Sequence, residues 1–301
     1  MRVLITGATG LIGQEIVKLC HQSKIDVNYL TTNKSKISKN ESYQGFYWNL
    51  EQNEIDTNCF KDVEVIINLV GATVAKRWTS SYKQEILDSR TKSADLLITS
   101  LKNISHTVRH IISASAIGIY PDSFQNYYME NSPEEDTGFL GEVVKKWEDA
   151  VLQFKDLGIE VSLLRIGLVL SDKGGAFPKI KKPIQYGVGA VFGSGKQWQS
   201  WIHVSDLANM FVHVLKEELT GVYNAVAPNP VSNKKLTDTV ANKLNKNIVL
   251  PGVPRLTMKL VLGEMHVLLF SSQRVCSDKI AKTGFEFEYD NITSAVNALI
   301  P

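Results

Sequence analysis

The chain of 301 residues predicts an α/β fold with a parallel sheet, helices on both faces of that sheet, and a smaller C-terminal lobe. Short β-branched or aliphatic runs alternate with amphipathic stretches through roughly the first 230 residues, as successive strand–helix–strand units do. The apolar runs are nearly continuous, which is typical of parallel strands buried on both faces. A glycine-rich turn separates the first strand from the first helix.

Each predicted element has its own signal. The strands are the apolar runs, at residues 2–6, 27–31, 63–72, 109–116, 160–170 and 221–227. The helices have apolar residues at helical spacing, at residues 11–21, 80–101 and 139–154, with further helices from Ser232 onward. After about residue 170, glycine, lysine and tryptophan become frequent, and this change of composition predicts the smaller lobe.

The glycine turn has the pattern G-x-x-G-x-x-G, formed by Gly7, Gly10 and Gly13. In this context the first glycine permits a tight turn, the second lets the backbone approach a diphosphate, and the third allows close packing of helix and strand. The helix N-terminus adds oriented N–H groups and a favourable dipole. The pattern predicts a dinucleotide site in a Rossmann-like core. A plain tight turn between strand and helix is the alternative interpretation.

The end of the second predicted strand indicates which dinucleotide is bound. A ribose 2′-OH usually meets an Asp or Glu about 20 residues beyond the glycines. Residues 30–36 read LTTNKSK here, without a carboxylate, and Lys34 and Lys36 would neutralise a 2′-phosphate. NADP is therefore the predicted cofactor, and a solvated lysine loop is the alternative. We expect residues 1–170 to form an NADP-binding core with a return near residues 200–227, and residues 171–301 to form mainly an interleaved substrate-side lobe.

Composition excludes several classes of partner. The formal net charge is +2 and the lysines are spread along the chain, so no nucleic-acid partner is expected. Cys20, Cys59 and Cys276 form no C-x-x-C pair, which indicates neither a disulfide framework nor a metal site and fits a reducing cytoplasm. The apolar stretch at residues 256–270 is interrupted by charged residues and is too short to span a bilayer, so no membrane partner is expected. The sequence predicts no particular oligomeric state.

Four segments in order, GATGLIG, INLVGA, SASAIGIYP and LLRIGLVLS, resemble the extended short-chain dehydrogenase/reductase superfamily. GSGKQWQSWIHVSD at residues 193–206 narrows the resemblance to an atypical branch of nucleotide-sugar-epimerase-like proteins, sometimes labelled cell-division-inhibitor-like. The position of Asn33 is more often Arg in such relatives, which weakens the NADP expectation without reversing it. The resemblance implies cofactor contacts at the diphosphate (Gly7, Thr9, Gly10, Leu11, Ile12, Gly13), the 2′-phosphate (Thr32, Asn33, Lys34), the adenosine ribose (Leu69, Val70, Gly71, Ala72) and the nicotinamide (Gly167, Leu168).

A proton-transfer pair of the superfamily is missing. Ordinary members carry a Tyr and, four residues on, a Lys that lowers its pKa, but in GFLGEVVKKWE at residues 138–148 these places hold Leu140 and Val144. The candidate replacements are Ser115 on the predicted strand 109–116, Tyr120 just beyond that strand, and Glu142 on the altered helix. A solvated helix carboxylate is the alternative interpretation of Glu142.

The lobe carries a candidate substrate site. Gln197, Trp198, Ser200 and Trp201 combine aromatic rings with amide and hydroxyl groups, which suits a sugar-like ligand, whereas packing in the lobe core is the alternative for the two tryptophans. Two functions follow. The first is an NADP-dependent oxidoreductase or epimerase acting on a small polar substrate, for which a sugar is one candidate. The second is a catalytically altered NADP-binding regulator.

Overall fold

A computed structural model describes residues 1–300. Within these residues the strands are β1 Arg2–Thr6, β2 Asp26–Thr31, β3 Lys39–Asn40, β4 Tyr43–Asn49, β5 Glu54–Ile55, β6 Val65–Asn68, β7 His110–Ala116, β8 Tyr127–Tyr128, β9 Glu160–Ile166, β10 Leu168–Leu170, β11 Trp198–Gln199, β12 Trp201–His203, β13 Gly221–Ala225, β14 Val231–Ser232 and β15 Arg274–Val275. The α-helices are α1 Leu11–Gln22, α2 Ser80–Lys102, α3 Phe139–Leu152, α4 Phe177–Gln185, α5 Val204–Lys216, α6 Asn233–Lys243, α7 Arg255–Leu262, α8 Val267–Phe270, α9 Asp278–Ala281 and α10 Ile292–Leu299.

The main sheet has the order β13-β9-β7-β6-β1-β2-β4-β3, and only β3, together with β5 beside β4, runs antiparallel. β1 lies between β2 and β6, with Thr6 opposite Leu30 on one side and Asn68 on the other. β2 and β4 follow β1 on one side, whereas β6, β7 and β9 lie on the other side, so the strand order reverses at β1. Such a switch in an open parallel sheet opens a crevice at the carboxyl ends of the strands, where ligands of this fold bind.

Helices cover both faces, as predicted, and the fold is Rossmann-like. α1 packs against α5, and α2 packs against α3. Each helix turns an apolar stripe toward the sheet, for example Ile16 and Cys20 of α1. The strands between them are almost fully buried because they are apolar on both faces, so the main core follows the sheet from β2 to β13. No helix within residues 1–300 is long and apolar enough to cross a membrane.

The sheet differs from the prediction in several places. The strand predicted at residues 63–72 is β6 at Val65–Asn68, and the short strands β3 and β5 were not predicted. Residues 160–170 form two strands instead of one, because the chain leaves the main sheet at Gly167 and β10 pairs with β12. A side chain at Gly167 would put its Cβ 2.3 Å from the carbonyl oxygen of Ser200, so only glycine fits this crossing. Strand β4 was not predicted, since YQGFYWN mixes aromatic, polar and glycine residues and is not a continuous apolar run.

The C-terminal part has its own apolar cluster. Side chains of α4, α6 and α10 surround the buried ring of Trp201, and three small two-stranded sheets (β10–β12, β11–β14 and β8–β15) connect this part to the carboxyl edge of the main sheet. β13 and α5 belong to the main core, although they lie beyond residue 170. The division of the chain at residue 170 stays a prediction.

Candidate functional site

The glycine turn forms an open cradle after β1. Gly7 has a φ of +72°, in the left-handed region that favours glycine, and its carbonyl oxygen accepts a hydrogen bond of 2.9 Å from the N–H of Gly10. A Cβ at Gly13 would lie 2.2 Å from that same oxygen, so the third glycine is needed for packing. Gly10 precedes the first turn of α1 and no side chain caps it. The N–H groups of that turn are therefore available to an anion, and the turn fits a dinucleotide diphosphate.

Residues Leu69–Ala72 lie beside this turn. The hydroxyl of Thr6 accepts hydrogen bonds from the N–H groups of Leu69 (3.0 Å) and Val70 (3.3 Å), and it donates to Asn68 Oδ1 at 2.8 Å. A Cβ at Gly7 would stand 3.3 Å from Leu69. These contacts hold the segment after β6 against the glycine turn, so two of the predicted cofactor segments come together at the switch point of the sheet.

The predicted 2′-phosphate segment follows β2, on the other side of the turn. Thr32 and Asn33 are exposed, and Asn33 Oδ1 accepts hydrogen bonds from the N–H (2.9 Å) and hydroxyl (2.7 Å) of Ser35. The Nζ of Lys34 lies 4.5 Å from the ring centre of Tyr47. No carboxylate occurs between residues 31 and 38, so the loop carries only positive charge. The loop fits a phosphate group in shape and charge, and Lys34 is the cation that would bind the phosphate.

The last predicted cofactor segment stands where β9 meets the lobe. Leu168 donates its N–H to the carbonyl oxygen of Ser200 at 2.8 Å, and Gly167 donates to that of Ala225 at 3.2 Å. Gly167 therefore lies at the carboxyl edge of the sheet, in contact with the lobe segment that carries the candidate substrate residues. The structure brings these two predicted segments together.

Ser115 and Tyr120 lie in a buried polar cluster. Ser115 Oγ donates a hydrogen bond of 2.5 Å to Glu148 Oε1, and Arg165 binds both oxygens of that carboxylate at 2.9 Å. The hydroxyl of Tyr120 accepts from Arg165 Nη1 at 3.0 Å and donates to Asn224 Oδ1 at 2.8 Å. Ser115 and Tyr120 are 2% and 1% exposed, and burial raises the pKa of the Tyr120 phenol although Arg165 opposes this. Both hydroxyls are thus engaged by protein partners.

Glu142 does not join this cluster. Its carboxylate is exposed and pairs with Lys146 at 2.7 Å, and the hydrogen bond and charge of Lys146 hold the pKa of Glu142 below its ordinary value. Val144 and Trp147 are buried and Leu140 packs against the apolar cluster beside them. Glu142 therefore has the position of a solvated helix carboxylate. Its catalytic role stays a prediction that these contacts do not favour.

The predicted substrate residues are mostly internal. Gln197 Nε2 donates to the carbonyl oxygens of Phe192 (3.1 Å) and Leu269 (3.0 Å), and Ser200 Oγ donates to that of Gln273 at 2.8 Å. Trp201 is fully buried in the C-terminal cluster, where its Nε1 donates to the Asn229 carbonyl oxygen at 3.0 Å. These three side chains pack the lobe, so contact with a substrate stays a prediction that the structure does not favour for them.

Trp198 has a different environment. It is half-buried, and the guanidinium of Arg274 lies 4.7 Å from its ring centre and 4.9 Å from that of Tyr127. The Nε of Arg274 is buried without a hydrogen-bond partner among the described residues. Sequence reasoning missed this arginine between two aromatic rings, because Tyr127, Trp198 and Arg274 come from three distant parts of the chain.

Sequence reasoning also missed two other arginines. Arg165 interrupts an otherwise apolar strand, LLRIG, and a charged residue in such a run is a signal for a buried ion pair. Arg90 lies on α2 and has no comparable signal, because charged residues are common along that helix. Within residues 1–300, no group of three or more His, Cys, Asp or Glu side chains stands together as metal ligands do.

The fold, the glycine cradle and the switch point define an NAD(P)-binding protein of the Rossmann type, and comparison with known proteins identifies the class. Residues 3–225 match the NAD dependent epimerase/dehydratase family, and the chain belongs to this family. Residues 253–299 match a domain of unknown function, DUF1731.

Similar proteins match along the whole chain. An epimerase family protein of Staphylococcus aureus is 35% identical over 298 residues, covering 99% of this chain and 98% of that protein. One from Staphylococcus saprophyticus is 36% identical over 299 residues, with the same coverage of 99% and 98%.

Two solved structures show the same architecture. The human epimerase family protein SDR39U1, crystallised with NADPH, superposes with a TM-score of 0.85 at 24% identity and covers 100% of this chain and 99% of its own. A nucleoside-diphosphate sugar epimerase from Corynebacterium glutamicum gives a TM-score of 0.79 at 27% identity, covering 100% of this chain and 58% of its own.

Proposed function

We propose that this protein is an NADP-dependent oxidoreductase or epimerase that acts on a small polar, sugar-like substrate. The observation that carries the proposal is the open glycine cradle at the switch point, flanked by a loop that contains Lys34 and no carboxylate. NADP bound there supplies a hydride donor or acceptor. The structurally similar protein from Corynebacterium glutamicum is named a nucleoside-diphosphate sugar epimerase, which supports a sugar-like substrate.

The cofactor would extend along the carboxyl edge of the sheet. The turn formed by Gly7, Thr9, Gly10, Leu11, Ile12 and Gly13 would hold the diphosphate, and Thr32, Asn33 and Lys34 would hold the 2′-phosphate. Leu69, Val70, Gly71 and Ala72 would support the adenosine ribose, and Gly167 and Leu168 would flank the nicotinamide. The contacts between the glycine turn and Leu69, and between Leu168 and the lobe, support this arrangement.

The substrate would contact the lobe through Trp198 and Arg274. Trp198 offers a partly exposed ring for stacking, and Arg274 offers a cation that forms no ion pair with the described residues. A stacking surface beside a cation suits a polar ligand that also carries negative charge.

A cofactor-binding regulator is the second candidate, and one observation favours it. At the places of the usual Tyr and Lys, Leu140 packs against an apolar cluster that includes Trp78, and Val144 is buried in another that includes Tyr128. The hydroxyls of Ser115 and Tyr120 are engaged by other side chains. A regulator would bind NADP without turnover and report its presence to a partner.

Turnover distinguishes the two candidates. Polar carbonyl compounds and nucleotide sugars are incubated with the protein and NADPH or NADP, and both cofactor absorbance and epimer formation are followed. Consumption or epimerisation above a heat-treated control supports the enzyme, whereas tight NADPH binding without turnover of any compound supports the regulator.

Variants then test the proton-transfer residues. Ser115→Ala, Tyr120→Phe and Glu142→Gln are compared with the parent, because a general acid–base residue typically contributes about 10²–10⁴-fold. A loss of that size in one variant, with NADPH affinity unchanged, would identify the group, and full turnover in all three would reject the set. A gain by Leu140→Tyr/Val144→Lys would show that this helix face is open to the cofactor.

A further inference from the structure

Helix α7 turns apolar residues to solvent. None of its residues is buried, and Leu256, Leu260 and Val261 are 70%, 76% and 61% exposed. Met258 and Leu262, which lie on the other side of the helix by their spacing, are half-buried. A surface helix normally places polar residues on its outer face, and an exposed apolar patch marks an interaction site. The outer face of α7 therefore has the character of a contact surface.

Two loops beside α7 carry more exposed apolar residues. The first loop follows α4, and the second follows α6 and leads directly into α7. A backbone bridge between Phe192 and Val253 joins the two loops, and a Cβ at Gly189 would lie 3.1 Å from the side chain of Ile248. The exposed residues are Tyr186 and Val188 in the first loop and Val249 and Leu250 in the second. Together with Leu256, Leu260 and Val261 they form the lobe face.

The stretches of chain that carry the lobe face are strongly basic. Residues 173–205 contain five lysines and no acid, and residues 229–263 contain six basic side chains and one acid, Asp238. Asp238 is already paired, with Lys234 at 2.8 Å. These stretches thus hold eleven basic side chains against one acid, whereas the net charge of the whole chain is only +2. The positive charge of this protein is concentrated where its apolar residues are exposed.

Protruding apolar side chains among lysines match the surface of an anionic lipid bilayer. Interfacial helices bury apolar residues at the boundary of headgroups and acyl chains, while their lysines attract anionic headgroups. Leu256 and Leu260 are one helical turn apart, and the exposed Lys259 beside them has a stem long enough to reach a headgroup. A second copy of the same face would bring like charges together. Nucleic acid would bind the lysines and leave the apolar residues in water.

We propose that the lobe face binds the surface of a membrane rich in anionic lipids, with α7 lying in the headgroup region. Such a contact requires no spanning segment, and no helix within residues 1–300 could cross a membrane. The proposal revises the expectation of no membrane partner, because that expectation rested on the missing span alone. It does not depend on NADP, so it applies equally to an enzyme and to a regulator.

Vesicle flotation tests the proposal with the parent protein. The vesicles consist of phosphatidylcholine and phosphatidylglycerol in equal amounts, or of phosphatidylcholine alone, and each is used at low and high ionic strength. We expect the protein to bind the mixed vesicles, and salt to weaken this binding because it screens the lysines. No binding to the mixed vesicles, or equal binding to both kinds, would overturn the proposal.

Leu256→Ser/Leu260→Ser tests the apolar contact. Affinity for the mixed vesicles should fall by about 10-fold or more, because two leucine side chains no longer enter the lipid. Leu152→Ser is the control, since Leu152 is an exposed leucine at the end of α3. Unchanged vesicle affinity in the folded double variant would overturn the proposal.

Lys182→Glu/Lys246→Glu tests the charge, at exposed lysines of α4 and of the loop after α6. Affinity for the mixed vesicles should again fall by about 10-fold or more. The control is Lys61→Glu/Lys155→Glu, which changes the net charge equally at exposed lysines elsewhere. An equal loss in the control would show an effect of net charge alone and would overturn the proposal.

A second copy of the chain is the competing occupant, and sedimentation velocity without vesicles tests it. If the parent is an oligomer that Leu256→Ser/Leu260→Ser dissociates, the lobe face is an interface between copies and the proposal is overturned. Thermal melting checks that each variant is folded. If the leucine variant does not fold, Lys259→Glu replaces it, because this exposed site leaves both leucines in place. Its vesicle affinity should fall by about 5-fold or more, and an unchanged affinity would overturn the proposal.

Discussion

The glycine turn after β1 and the polar cluster after β7 stand at the same edge of the sheet and use their polar groups in opposite ways. In the turn, the first N–H groups of α1 have no side-chain cap. In the cluster, the hydroxyls of Ser115 and Tyr120 are each hydrogen-bonded to a buried partner. Free donors at a helix N-terminus are ready for an anion, whereas satisfied groups in the interior stabilise the fold. At this edge, the donors of the glycine turn are open to a ligand, whereas the hydroxyls of Ser115 and Tyr120 are held by partners in the protein interior.

The largest expected effect concerns the stability of the cluster. Glu148→Gln removes the charge that Arg165 binds through two hydrogen bonds, and both side chains are about nine-tenths buried. Breaking such a pair on one side typically costs about 3–5 kcal/mol, and we expect a loss of that size in the free energy of unfolding. Urea denaturation measures it, with Glu135→Gln as the control at an exposed ion pair. A loss below about 1 kcal/mol would show that the cluster does not stabilise the fold.

A second prediction concerns the turn. Gly10→Val should weaken NADPH binding by more than about 100-fold while the protein stays folded, because the valine side chain occupies the place of the diphosphate. Gly138 is a matched control, since it precedes α3 with the same φ of −80° and ψ of 176° as Gly10. Fluorescence titration and far-UV circular dichroism are measured together. Retained binding in folded Gly10→Val would make the turn purely structural.

A smaller effect is expected at the 2′-phosphate. The parent should bind NADPH more tightly than NADH, and Lys34→Ala should reduce that preference by about 10-fold, the weaker end of a charge-assisted contact. Lys39→Ala, an exposed lysine of β3, serves as the control. The test measures dissociation constants for NADPH and NADH in the parent and both variants. Equal affinities in the parent would contradict the assignment of Lys34 to the 2′-phosphate.

The smallest effect is expected at Glu142. Its exposed ion pair with Lys146 makes no contact with the buried cluster, so Glu142→Gln should alter neither the melting temperature nor NADPH affinity measurably. Differential scanning fluorimetry with and without NADPH tests this. A clear change in the melting-temperature shift that NADPH produces would indicate that the Glu142 carboxylate lies close to the bound cofactor.

Much of the fold was predictable from local pattern. The strand at residues 2–6 and the helix that follows it were predicted within one residue of their observed bounds, because apolar runs and glycine spacing are local signals. Leu140, Val144 and Trp147 have the spacing of one helical stripe, and in the structure Val144 and Trp147 are buried while Leu140 packs against an apolar cluster. Strand β4 and the break at Gly167 were not predictable, since both depend on neighbours far along the chain, β2 and Ser200.

The candidate site divides in the same way. The amino-acid sequence by itself determined the glycine cradle, the acid-free loop and the loss of the Tyr and Lys, because each lies within a few consecutive residues whose chemistry is sufficient. The tertiary structure alone decided which polar groups are free. Tyr120 meets Asn224 across 104 positions, and Arg165 meets Glu148 across 17, whereas Arg90 forms no ion pair with an acid among residues 1–300. Whether a charge or a hydroxyl is satisfied depends on side chains that only folding brings within hydrogen-bond distance.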